Sequence, residues 1–128
     1  MCIVYISMAE KKFTVLDLLE LDLQDHDALE LKCIAGRRGL PKELIVSDIN
    51  RPGLALSGFF DSFAYQRVQL FGRGEVAYLN KLKSENRIDT IKQFFEYDIP
   101  CCVFSHDRTP PEEFIQIAEE ACCSILQT

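Results

Sequence analysis

The sequence predicts an α/β domain built on a mixed, partly parallel sheet flanked by helices. Three observations lead there. In the second half, short apolar runs alternate with segments of helical period, the order that builds parallel strands joined by helical crossovers. One of these runs, residues 101–105 (CCVFS), is apolar without alternation, as expected of a strand covered on both faces. Finally, 128 residues that are 48% hydrophobic suffice for one domain with a real core but not for two sizeable ones.

The elements follow in order. Residues 13–21 read as a helix, with Thr14 and Asp17 in capping-box spacing and Val15, Leu18 and Leu19 as its apolar stripe. Residues 22–27 read as an acidic loop. Residues 29–35 alternate well enough for a strand, and Gly36-Arg37-Arg38-Gly39 then turns the chain. Residues 43–47 read as a second short strand. Residues 51–58 open with a Pro-Gly turn and continue as an extended segment, and residues 67–71 form a third strand closed by Gly72 and Gly74. Residues 75–82 look helical. Asn86 is the expected cap of a helix over 87–96 that shows Ile88, Ile91 and Phe95 on one face. Beyond the strand at 101–105, Thr109-Pro110-Pro111-Glu112 carries helix-start signals: a Thr N-cap, a proline at the first helical position and a glutamate at the third. That helix is expected to reach about residue 123 with Phe114, Ile117, Ala118 and Ala121 facing in, and residues 124–126 begin a last strand.

Composition narrows the function classes. The net charge is −6 and the basic residues are spread along the chain, which argues against nucleic-acid or membrane-surface binding. No apolar window approaches 18 residues, so no transmembrane helix is expected. The start, MCIVYISMAEKK, lacks the basic residues and cleavage site of a secretory signal, and residues 1–9 read as an extension or irregular start, with Met8 an alternative first residue. Six cysteines include two adjacent pairs, Cys101-Cys102 and Cys122-Cys123, and none lies in a CxxC spacing. Adjacent residues of a strand point to opposite faces, so these read as reduced thiols packed as small hydrophobes in a cytosolic protein. Neither His26 nor His106 sits at a zinc-ligand spacing from them.

The densest stretch is 50–82, NRPGLALSGFFDSFAYQRVQLFGRGEVAYLNKL. It holds Pro52 and four glycines that fix the backbone, two arginines, Arg51 and Arg67, and two amides, Asn50 and Gln69, among apolar neighbours. Arg51 and Arg67 each read first as structural ion-pair or carbonyl-bonding residues and second as anion ligands. Ser105-His106-Asp107-Arg108 follows a buried strand, where α/β sheets place ligands, although the two prolines at the next helix start remove two N–H donors. His106 has no serine or cysteine nucleophile that the sequence sets beside it. Residues 36–39 and 72–74 match neither GxxxxGK[ST] nor GxGxxG and read as tight turns. No carboxylate pair, metal cluster or nucleophile triad emerges.

A family resemblance rests on ordered segments. Arg51-Pro52-Gly53-Leu54-Ala55-Leu56-Ser57-Gly58, then Arg67-Val68-Gln69-Leu70-Phe71-Gly72, then Glu75 and Tyr78-Leu79, resemble the N-terminal domain of HPr kinase/phosphorylase. The flanks at 29–39, Ile45-Val46-Ser47-Asp48-Ile49, 100–105, Pro110 to Phe114 and Ile125-Leu126 agree, so the resemblance covers residues 10–127. It implies a fold similar to the uridine-nucleotide-binding N-terminal domain of the Mur ligases. It also implies a parent enzyme of the bacterial cytoplasm that acts in carbon catabolite repression. Such an enzyme uses ATP or pyrophosphate, with Mg²⁺, to phosphorylate a serine of HPr, the carrier of the sugar phosphotransferase system. It removes the phosphate by phosphorolysis and assembles as a hexamer. The family's chemistry resides in a C-terminal P-loop domain that has no counterpart in this sequence, so no catalytic residue, metal ligand or cofactor is carried over to this chain. The expected role is therefore a regulatory and assembly domain spanning 10–128. The alternatives are a stand-alone anion- or nucleotide-binding sensor using Arg51, Arg67 and His106, and a plain oligomerisation module.

Overall fold

A computed structural model describes residues 12–25 and 29–128; the expectations for residues 1–9, for His26 and for the end of the acidic loop lie outside them. The chain runs through α1 (Val15–Gln24), β1 (Lys32–Ala35), a 3₁₀ turn (Arg37–Gly39), β2 (Ile49–Asn50), α2 (Gly53–Leu56), β3 (Val68–Phe71), α3 (Arg73–Ser84), α4 (Ile88–Phe94), β4 (Cys101–Phe104), α5 (Glu112–Glu120) and β5 (Ser124–Gln127). The five strands form one sheet in the order β1-β5-β4-β3-β2. Strands β2 to β5 are parallel in steady register, with Asn50 beside Gln69, Phe71 beside Phe104 and Phe104 beside Gln127. β1 alone runs antiparallel, against β5, with a bulge between Cys33 and Ala35. The predicted mixed sheet is thus observed.

Because β2, β3, β4 and β5 lie side by side in chain order, right-handed crossovers put every connecting helix on one face. There Phe71, Cys102, Phe104 and Ile125 meet Leu56, Leu79, Leu82, Ile91, Phe94, Phe114 and Ala118. Phe71 and Phe104 stack at 4.5 Å, and Phe114 packs edge-on against both. Each such ring contributes about 1.5–3 kcal/mol on burial. The other face takes α1, whose Val15 is fully buried with Cys101, Val103 and Leu126. Cys101 and Cys102 therefore face opposite layers, and burial pushes both thiols far up from their ordinary range. All five cysteines of the described residues are free.

Local signals explain the helix starts that were read correctly. Thr14 accepts from the Asp17 N–H at 3.2 Å and donates its own N–H to the Asp17 carboxylate at 2.8 Å, the expected capping box. Other expectations fail for non-local reasons. Asp22 is not in a loop: it closes α1 from inside, 5% exposed, and its carboxylate accepts the Leu29 and Leu31 N–H groups at 2.8 and 2.9 Å. Residues 43–47 join no strand, because their backbone and that of the residues just before them serve α1 instead. Lys42 and Leu40 accept from Val15 and Leu16, Leu44 donates to Phe13, and only a Thr14–Glu43 bridge remains.

Residues 51–58 contain the one-turn helix α2 rather than an extended run, ended by Gly58 at φ +100°. Asn86 does not cap α4 but closes α3. It takes φ +56°, its N–H reaches Lys83, and the next N–H reaches Leu82. Cys122 (φ +55°) ends α5 in the same way. Thr109, the expected cap of α5, instead accepts a hydrogen bond from Gln127 Nε2 at 3.2 Å, and α5 starts after Pro111 with no side-chain cap.

Candidate functional site

Parallel strands bring their carboxyl ends to one edge of the sheet, the usual place for ligands in such folds. At that edge stand Arg51 after β2, Gly72 after β3, Ser105 and His106 after β4, and Thr128 after β5. Arg67 precedes β3 and therefore lies at the opposite edge, 4.0 Å from Asp48. The three residues singled out from sequence do not share one pocket.

The most organised part of the edge is built around Glu75. α3 starts at Gly72, and the Gly72 N–H donates to Glu75 Oε1 at 2.9 Å. The same carboxylate grips Arg51 in two places, Nη2 to Oε1 at 2.8 Å and Nε to Oε2 at 3.3 Å. A side chain at 72 would collide with this grip, since a Cβ there would stand 2.6 Å from Arg51 Nη2. Burial alone would push the Glu75 carboxyl up. Hydrogen bonds from Arg51, Gly72 and its own N–H, with the Arg51 charge, hold it below the ordinary range. The hydrogen bond from Arg51 to Glu75, and then their mutual attraction, raise the guanidinium in turn.

A second, buried chain of amides orders Asn50. Gln69 is fully buried, and its Nε2 donates to the Ala64 and Arg67 carbonyls at 2.9 and 2.8 Å. Its Oε1 must then accept, and it takes Asn50 Nδ2 at 2.8 Å. That orientation turns Asn50 Oδ1 away from Gln69. Asn50 and Arg51 line a cavity of about 80 Å³ between β2, α2 and residues 59–64.

The His106 turn is self-contained. His106 and Asp107 adopt φ +56° and +58°, and their N–H groups donate to Thr128 Oγ1 and to the Thr128 carbonyl, each at 3.1 Å. Arg108 Nη1 donates to the Ser105 carbonyl at 3.1 Å. The backbone donors that could have cradled an anion are thus taken by the neighbouring strand end. The glycine turns read as such are structural too: the Gly36 N–H donates to Glu119 Oε1 and the Gly36 carbonyl accepts from Ser124 Oγ. Among the described residues no cluster of three or more His, Cys, Asp or Glu is placed to hold a metal. No helix of the described residues is long and apolar enough to cross a membrane.

Sequence reasoning marked Arg51 and Gln69 but not Glu75 as the arginine's partner, nor Ser62 as a cavity residue. Arg51 and Glu75 lie 24 positions apart, and no local spacing signals such a pair.

Comparison with known proteins bears on the same residues. The family described as HPr Serine kinase N terminus matches residues 16–128. The chain is 55% identical over 111 residues to the HPr kinase/phosphorylase of Treponema pallidum (strain Nichols), covering 87% of this chain and 35% of that protein. It is 40% identical over 110 residues to the HPr kinase/phosphorylase of Leptospira biflexa serovar Patoc, covering 86% and 34%. Against the protein of the same name from Streptococcus uberis it is 38% identical over 103 residues, covering 80% and 33%. The chain spans about a third of the length of the curated relatives it matches.

Proposed function

The chain belongs to the HPr serine kinase N-terminal family, and on that premise we propose that it acts as the non-catalytic regulatory and assembly module of an HPr kinase/phosphorylase. The observation that carries this reading is the match itself. It aligns nearly all of the described chain with about a third of proteins named for two activities. The sequence offers no GxxxxGK[ST] segment, and its Arg51, Glu75 and 105–108 groups engage in internal bonds, as a supporting module would have them. In this reading ATP or pyrophosphate, Mg²⁺ and the HPr serine are handled by the catalytic portion of the parent enzyme. The module contributes to homo-oligomeric assembly, a hexamer in the family, and the compartment is the bacterial cytoplasm.

Two measurements test it. Incubation of the chain with HPr, ATP and Mg²⁺ should yield no phosphoserine by phosphate-affinity electrophoresis, and clear turnover would overturn the reading. Light scattering should show association that grows with concentration; a monomer throughout would remove the assembly role.

A further inference from the structure

We infer that the cavity beside Arg51 is a binding site for a small oxyanion of the carboxylate or phosphate class. Several groups there are held in place without being used up. Glu75 engages Nε and Nη2 of Arg51, while Nη1 meets no acceptor among the described residues. The arginine is more than half exposed, at 57%, yet its plane is fixed at two points. A fixed guanidinium with a free edge is a preorganised oxyanion donor, since little side-chain freedom remains to be lost on binding. Gly72 is what allows the arginine to lie there, because a Cβ at that position would displace it.

Two further polar residues, Ser62 and Asn50, line the same cavity. The Ser62 hydroxyl has no partner among the described residues, and Asn50 Oδ1 is turned away from Gln69 by the buried amide chain. The residues that line the cavity therefore carry a cationic donor and a hydroxyl, while Asn50 Oδ1, an acceptor only, opposes an ionised oxygen and suits a protonated phosphate oxygen. Leu54, Phe59 and Phe63 supply an apolar wall. At about 80 Å³ the space exceeds that needed for one water several-fold, which suits a phosphate group or a carboxylate on a short carbon stem. The position, beyond the carboxyl ends of parallel strands, is the general one for ligands in this architecture.

Charge sets the expected strength. Glu75 already offsets the Arg51 charge and the chain carries a net −6, so long-range attraction is absent and binding is in the millimolar range. Specificity then comes from the fixed geometry rather than from field strength.

The test is a titration of the whole chain with sodium phosphate and, separately, sodium acetate at constant ionic strength, followed by amide correlation spectra. Saturable shifts are expected in residues 50–55 and 59–64, with half-saturation at about 1–10 mM. Saturation by both anions supports a general oxyanion site, and saturation by one alone identifies its class. Arg51→Gln should weaken binding about tenfold or more. Because that change also frees Glu75, Ser62→Ala provides a second variant that leaves the Glu75 grip intact and should weaken binding several-fold. Arg67→Gln, at the opposite edge, should change nothing. Linear, unsaturated shifts with both anions, or unchanged affinity in both cavity variants, would overturn the inference.

Discussion

Gly36→Ala is the sharpest test of how this domain is held closed. Gly36 sits between β1 and the 3₁₀ turn at φ +68°, and its backbone lies directly against the start of β5. A Cβ there would press into the Cys123 carbonyl oxygen, 2.7 Å from its carbonyl carbon and 2.9 Å from Ser124 Cα. All of these are backbone atoms at the start of a strand hydrogen-bonded on both sides, so no rotamer change relieves the contact. Relief requires the strands to part by about 1 Å, beyond the range of ordinary contact. That movement endangers the Ser124 Oγ bond to the Gly36 carbonyl (2.7 Å) and the Gly36 N–H bond to Glu119 (2.8 Å).

The neutral bond contributes about 1 kcal/mol and the charge-assisted one about 1.5–3. The left-handed backbone adds roughly 1 kcal/mol for any residue with a side chain. The loss is about 3–5 kcal/mol, a large share of the roughly 5–15 typical of a domain. Urea unfolding followed by circular dichroism should show it directly, and thermal unfolding should show a fall in Tm of about 10–20 °C. Gly74→Ala is the control: nothing lies within 4 Å of its Cβ position and it sits in α3, so alanine should stabilise by about 0.5–1 kcal/mol. If Gly36→Ala unfolds within about 1 kcal/mol of the parent while the control behaves as stated, the close approach is not a determinant of stability.

Two further outcomes are expected. Glu75 has a carboxyl pKa held below its ordinary value, so its contribution to stability is complete above the unfolded-state value of about 4.3 and is lost as pH falls through the lower folded value. The gap in urea midpoint between the parent and Glu75→Gln should therefore be constant near neutrality and close on acidification; a gap that widens in acid would reverse the assignment. Among the described cysteines, a thiol reagent followed by peptide mapping should label half-buried Cys122 and, more slowly because burial raises its thiol, half-buried Cys33 in the native protein, and reach Cys101, Cys102 and Cys123 only on unfolding. Early labelling of Cys102 would mean that the layer between sheet and helices opens readily.

What the sequence disclosed, and what it hid, follows the range of the interactions involved. Thr14 and Asp17 are three residues apart, and their mutual capping is written in the spacing. The unbroken apolar run of β4 announced a strand covered on both faces, and Cys101–Phe104 is buried throughout. By contrast, Thr109 has every local feature of an N-cap, yet its hydroxyl is claimed by Gln127, 18 positions later. Residues 43–47 hold a short apolar run, Leu44-Ile45-Val46, that reads as a strand, but the start of α1 draws this part of the chain into its own hydrogen bonds. Asp22 looks like one acid among several until the fold buries it against the Leu29 and Leu31 amides. At the candidate site Arg51 and Gln69 stood out by composition, whereas Glu75 and Ser62 acquired meaning only once β2, β3 and α3 had converged.

The place of β5 in the sheet bears on how the domain is made. It is the last strand of the sheet in chain order, yet it lies between β4 and β1, a strand formed about ninety positions earlier. Until residues 124–127 have left the ribosome, β1 has no neighbour and the helical layer is one strand short of a complete floor. The sheet therefore cannot be completed as its elements emerge, because β1 finds its place only when the strand made last joins β4.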